Sequence, residues 1–131
     1  MTQAIVKKEN TQAVTEALIS PENAYRPNTN IYHTPEAFLF EVELPGVQQE
    51  DIDLEITEKN VLVLKAKNSF TAPESHTPVI SQIRHGNYYR AFELGEQIDR
   101  ESVSAKLELG VLNIQIAKQE KARPKRITVN I

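Results

Sequence analysis

The chain contains no cysteine among its 131 residues, which excludes disulfide staples and thiolate metal sites and is compatible with a reducing compartment. Glycine is also scarce. Its four occurrences, Gly46, Gly86, Gly95 and Gly110, are isolated and none precedes a lysine, so there is no phosphate-cradling loop. No serine sits in a Gly-x-Ser-x-Gly elbow. The three histidines, His33, His76 and His85, lack the i, i+4 spacing that aims two imidazoles at one metal; His33 is instead placed to pair with Glu36 across a turn. No apolar run approaches the roughly 18 residues of a membrane span, and Met1–Glu9 lacks the apolar stretch of a signal peptide. The expectation is a cytoplasmic protein that is not an enzyme and carries no cofactor or metal.

What is present is an ordinary globular composition, 40% hydrophobic and 25% charged, enough for one core with appendages. The net charge of −3 is mild, but its distribution is uneven. Glu41 to Glu58 holds seven acids and no base, whereas Lys118 to Arg126 holds five bases and one acid. Such blocks are ordinarily solvated faces, or they attract one another weakly across subunits. Tyr88, Tyr89 and Arg90 lack the basic surroundings of a nucleic-acid groove, so no nucleic-acid partner is expected.

Residues 1–27 are polar and patternless apart from Val14, Ala17 and Leu18, spaced as a short helix behind Asn10 or Thr11 and stopped by Ser20-Pro21. An isolated helix of that length is marginal in water, so this stretch reads as a mobile arm. From there the period is two. The expected strands are Asn30–His33, Phe38–Leu44, Asp51–Ile56, Val61–Lys67, a weak one at Val79–Arg84, Tyr88–Leu94, Val103–Leu107 and Val111–Ile116. Asp51, Asp53 and Glu55 alternate outward against Ile52, Leu54 and Ile56, an arrangement suited to solubility rather than acid–base catalysis. Short strands spaced about ten residues apart indicate an all-β antiparallel sandwich. Residues 68–87 form a long excursion between strands, a length usually reserved for function. At the carboxy end Ile127, Val129 and Ile131 alternate with polar residues behind a charged hinge. That pattern suits either the last strand of the same domain or a strand added to another sheet.

Arg26-Pro27 followed by Asn30-Ile31-Tyr32, then Glu43-Leu44-Pro45-Gly46-Val47, Tyr89-Arg90-Ala91-Phe92-Glu93-Leu94 and Ala105-Lys106-Leu107-Glu108-Leu109-Gly110-Val111-Leu112 resemble the α-crystallin domain of small heat shock proteins of the bacterial type. The resemblance runs from about residue 26 to 118 and continues into the Ile-x-Val-x-Ile tail. It implies an arm over 1–27, an immunoglobulin-like α-crystallin domain over 28–118 and an anchoring tail over 119–131. It further implies an ATP-independent holdase that binds partly unfolded clients, dimerises, and assembles into larger oligomers, alone or with a paralogue.

The resemblance also implies residue roles. The strand Val79-Ile80-Ser81-Gln82-Ile83-Arg84 would pair with the partner's edge near Asn30, Ile31 and Tyr32, and Arg90 would be a structural arginine paired to an acid across the sheet or the dimer. Of the anchor residues Ile127, Val129 and Ile131, either Ile127 and Val129 or Val129 and Ile131 would seat in a neighbour's groove lined by Ile52, Leu54, Val103 and Leu107, two registers between which the sequence does not choose. The chain departs from the family pattern in three places. Leu94-Gly95-Glu96 replaces a Leu-Pro-Glu, implying a looser turn. Ile116-Ala117-Lys118 lacks a proline, so the last strand runs on. The arm carries no phenylalanine or tryptophan, which makes large cages less expected than dimers. The competing readings are a monomeric co-chaperone-type adaptor, which would need neither exchange strand nor tail, and an unrelated ligand-binding sandwich.

Overall fold

The computed structural model describes residues 19–68, 72–83 and 85–130. The helical pattern at Val14–Leu18, Arg84 and Ile131 lie outside the described residues.

Seven strands form: β1 (Thr29–His33), β2 (Ala37–Glu43), β3 (Val47–Ile56), β4 (Val61–Asn68), β5 (Tyr88–Glu93), β6 (Ile98–Glu108) and β7 (Val111–Lys118). They build two antiparallel sheets, ordered β1-β2-β7-β6 and β3-β4-β5. Period-two alternation explains the result directly, since β2, β3, β4, β6 and β7 each turn a row of apolar side chains to the facing sheet. Phe40, Val42 and Leu44 from β2 and its end meet Leu62, Leu64 and Ala66 of β4, with Leu112, Ile114 and Ile116 of β7, in one buried cluster. Phe40 and Phe92 meet edge-on at 5.1 Å across the two sheets. This is the antiparallel β-sandwich expected from the alternation.

Two strands are longer than the alternation suggested. β3 begins at Val47 and β6 at Ile98, because each carries a register shift, between Val47 and Ile52 and between Ile98 and Val103. A bulge breaks the two-residue rhythm while the chain stays extended, so the pattern on its near side is lost to a sequence reader. β7 does run on to Lys118, with Ala117 opposite Ala37.

The acids of β3 do not all face water. Asp53 is only 5% exposed, and Asp51 and Glu55 are half-buried. In register Asp53 lies opposite Lys65 of β4, an opposite-charge neighbour that makes the placement tolerable. The turn at Gly95 is also not loose. Gly95 adopts φ +79°, a conformation closed to the proline ring, and the Asn60 amide donates to its carbonyl at 2.8 Å.

The segment before β1 is tied to the sandwich. Ile19 is buried, and Tyr25 bridges Tyr88 of β5 through Tyr25 N–H to Asn87 O at 2.8 Å and Tyr89 N–H to Tyr25 O at 2.9 Å. The Tyr25 ring then lies over Gly86, where an added Cβ would come within 2.5 Å of Cε2. Gly86→Ala is expected to cost about 1 kcal/mol through this overpacking, read as a melting temperature lowered by roughly 4–8 °C. In a Tyr25→Ala background the same substitution is expected to be nearly silent, and thermal melts of the four-protein cycle check the coupling.

Candidate assembly and client-binding surfaces

The sandwich has two open rims, because each sheet ends in strands paired on one side only. One rim joins β3 and β6, the outer strands on that side, and is closed at one end by Arg100 Nη2 donating to the Ile56 carbonyl at 3.3 Å. The other brings β5 near the chain entering β1, where Arg90 Nη1 donates to the Pro27 carbonyl at 2.9 Å.

At the β3/β6 rim the structure places three of the four expected lining residues in the core of the single chain. Ile52, Leu54 and Val103 are core residues with almost no free surface. Their alternation is what buries them, since on a two-sheet sandwich the inward row of an edge strand serves the protein's own core. Leu107 is only partly buried, and it is joined as a partly covered apolar side chain by Ala105 of the same strand and Ile56 of β3. These three are the apolar surface that the rim itself presents.

The opposite rim presents more. Asn30, Ile31 and Tyr32 lie on β1, the outer strand of its sheet, with Ile31 and Tyr32 half-exposed. A cavity of about 320 Å³ opens beside them, lined by Ile31, Phe38, Phe40, Phe92 and Leu94 with Arg26 and Arg90 at its edge. Arg90 stacks on Phe92, its guanidinium carbon 4.9 Å from the ring centroid. Burial first, and the neighbouring Arg26 second, hold the Arg90 pKa below its ordinary value. Arg90 is not paired to an acid among the described residues of this chain. Its partners are the Pro27 carbonyl and the Phe92 ring, and its buried Nε has no acceptor. His33, at the end of β1, likewise faces a base rather than Glu36: Lys118 Nζ lies 3.2 Å from its Nδ1 and 4.7 Å from the Phe38 centroid.

The two candidate donor segments both stay off the sandwich. Val79, Ile80, Ser81, Gln82 and Ile83 form no strand within the chain, and Val79 is 94% exposed, with Ile80 and Ile83 close behind. Past β7, Glu120–Ala122 make a single 3₁₀ turn held by Gln119 N–H to Gln97 O at 2.6 Å. Arg123 to Arg126 then run beside Pro35 and Glu36. Ile127 and Val129 follow in a stretch without strand pairing, 80% and 84% exposed. Ordinary surfaces scatter single aliphatics; two exposed clusters of them, Val79, Ile80 and Ile83 in one and the alternating Ile127 and Val129 in the other, are unusual.

The sequence reading missed the rim cavity. The signal for it was present in Phe38, Phe40 and Phe92, whose period-two placement puts all three rings on inward faces. Among the described residues there is no cluster of three metal-ligating side chains and no helix long and apolar enough to cross a membrane.

The family model described as the Hsp20/alpha crystallin family matches residues 30–131. Small heat shock protein C4 of Rickettsia felis is 33% identical over 79% of this chain and 64% of its own length. Spore protein SP21 of Stigmatella aurantiaca is 34% identical over 81% of this chain and 63% of its own length. The chain therefore spans a little under two thirds of each of these relatives. Among solved structures, a small heat-shock protein from Xylella fastidiosa with a distinct high order structure superposes with a TM-score of 0.66 at 28% identity, covering 82% of this chain and 98% of that one.

Proposed function

The chain belongs to the Hsp20/alpha crystallin family of small heat shock proteins, and from that premise we propose that it is an ATP-independent holding chaperone built from exchanging dimers. Family membership supports a chaperone role in stress. The observation that carries the finer reading is the pair of aliphatic segments, Val79–Ile83 and Ile127–Val129, left in water beside a sandwich whose core is filled without them.

In this reading each segment completes an open rim of another subunit. The loop at 79–84 lies on the partner's β1, supplying the missing neighbour for Asn30, Ile31 and Tyr32 and satisfying an edge that otherwise invites aggregation. Ile80 and Ile83 have a matching destination in the cavity at Ile31, Phe38 and Phe92. The unfilled Nε of Arg90 fits a counter-charge arriving with the partner, since a guanidinium this covered is stabilised by a carboxylate. The tail takes the β3/β6 rim over Leu107, Ala105 and Ile56, its basic hinge passing acids of β3. The 119–131 segment then acts as an anchor and 28–118 as the folded unit.

Holding follows from the same physics. Heat exposes apolar surface on a client, and surface uncovered when tails or dimers separate covers it in turn. The test is light scattering of a heat-labile protein with the intact chain and no nucleotide. Suppression at stoichiometric levels is expected, and unabated scattering at those levels overturns the reading.

A further inference from the structure

The β6–β7 hairpin turns through Leu109 and Gly110, both at positive φ, +52° and +80°. Such a two-residue turn matches the twist of the flanking strands, and its first central position suits asparagine, aspartate or glycine. Every other left-handed position among the described residues obeys that rule, being glycine or Asn60. At Leu109 an L side chain with no polar atom occupies the disfavoured region, where Cβ crowds the following carbonyl oxygen. It gains nothing from packing, for Leu109 is 99% exposed. Nor is the tip floppy: the Gly110 carbonyl accepts from Leu44 N–H at 2.8 Å, and Glu108 stands in register opposite Val111. The chain thus presents a leucine side chain to water from a fixed backbone turn, against both backbone preference and solvation.

We propose that Leu109 is a client-contact residue, an aliphatic knob that meets apolar side chains of partly unfolded polypeptides. This rests on the holding function proposed above. The surroundings favour a flexible client over a folded partner. Lys106 and Glu108, 3.8 Å apart and largely exposed, flank the tip with charge, leaving one apolar side chain. A stable contact between folded subunits needs of order 1,000 Å², far beyond one leucine, whereas an unfolded chain can wrap a knob and add it to contacts made elsewhere.

The test compares the intact chain with Leu109→Asn and Leu109→Met, measuring melting temperature, assembly size and suppression of client scattering without nucleotide. Leu109→Asn is expected to melt about 4–8 °C higher, as the turn is relieved. It is also expected to require about tenfold more protein for the same suppression, the factor that corresponds to burying one leucine. Leu109→Met retains the apolar contact and is expected to hold as the intact chain does. Equal suppression by Leu109→Asn overturns the proposal while leaving the holding function standing. A lower melting temperature in Leu109→Asn contradicts the strain argument. A changed assembly size assigns Leu109 to a contact between subunits and also overturns the proposal. Failure of the intact chain to suppress scattering removes the holding function itself, and this proposal with it.

Discussion

Truncation after Arg123 is expected to reduce the assembly to dimers while leaving the melting of the sandwich unchanged. Ile127 and Val129 contribute nothing to the core of their own chain, being largely in water, and Pro124 to Arg126 before them line a surface depression with Pro35 and Glu36. Seated in another subunit's rim, each aliphatic side chain is worth roughly 1.5–3 kcal/mol of apolar burial. Ordering the extended backbone costs about 1–2 kcal/mol per residue. Over five residues these two terms nearly cancel, so the net contact comes from the added strand hydrogen bonds at about 0.5–1.5 kcal/mol each, which makes the anchor reversible; losing it is expected to weaken the contact by about one to two orders of magnitude. Sedimentation velocity on the truncated chain reads the size, and thermal melting reads the fold. Unchanged size after truncation would assign assembly to other surfaces.

The second large effect is expected from Ile80→Asp combined with Ile83→Asp, which should yield folded monomers. Both side chains are exposed in the single chain, so the charges cost the protomer little. In the proposed dimer they would meet the partner's cavity of about 320 Å³, lined by Ile31, Phe38 and Phe92. An unpaired buried carboxylate costs several kcal/mol, so dimer affinity falls by about a thousandfold or more. Arg90 lies at that cavity's edge, yet its fork cannot serve two introduced charges as well as a native counter-charge. Persistence of the dimer in the double variant would show that the loop is not its interface.

The fold was legible wherever one row of side chains serves one core. β2, β4 and β7 show clean alternation, and their inward residues are the ones buried. Legibility failed where the cause was non-local or conformational. Val79–Ile83 has strand composition but no strand, because an extended segment becomes a strand only when it pairs, and this one pairs with no strand among the described residues. Asp53 looked solvated because alternation reports a side and not what covers that side. Ile52, Leu54 and Val103 were assigned to a groove, although an inward row on an edge strand belongs first to its own core. Gly95 replaced a proline without loosening the turn, since the left-handed backbone is held by a side chain 35 residues away in sequence. Arg90 was expected to pair with an acid across the sheet or the dimer; its partners within the chain are a carbonyl and a ring.

Sedimentation of the intact chain over a wide dilution series tests the central claim most directly. The expected result is a species larger than a dimer that dissociates to dimers as concentration falls, with exchange of subunits between labelled and unlabelled pools. A single 14.8 kDa protomer at every concentration would contradict it.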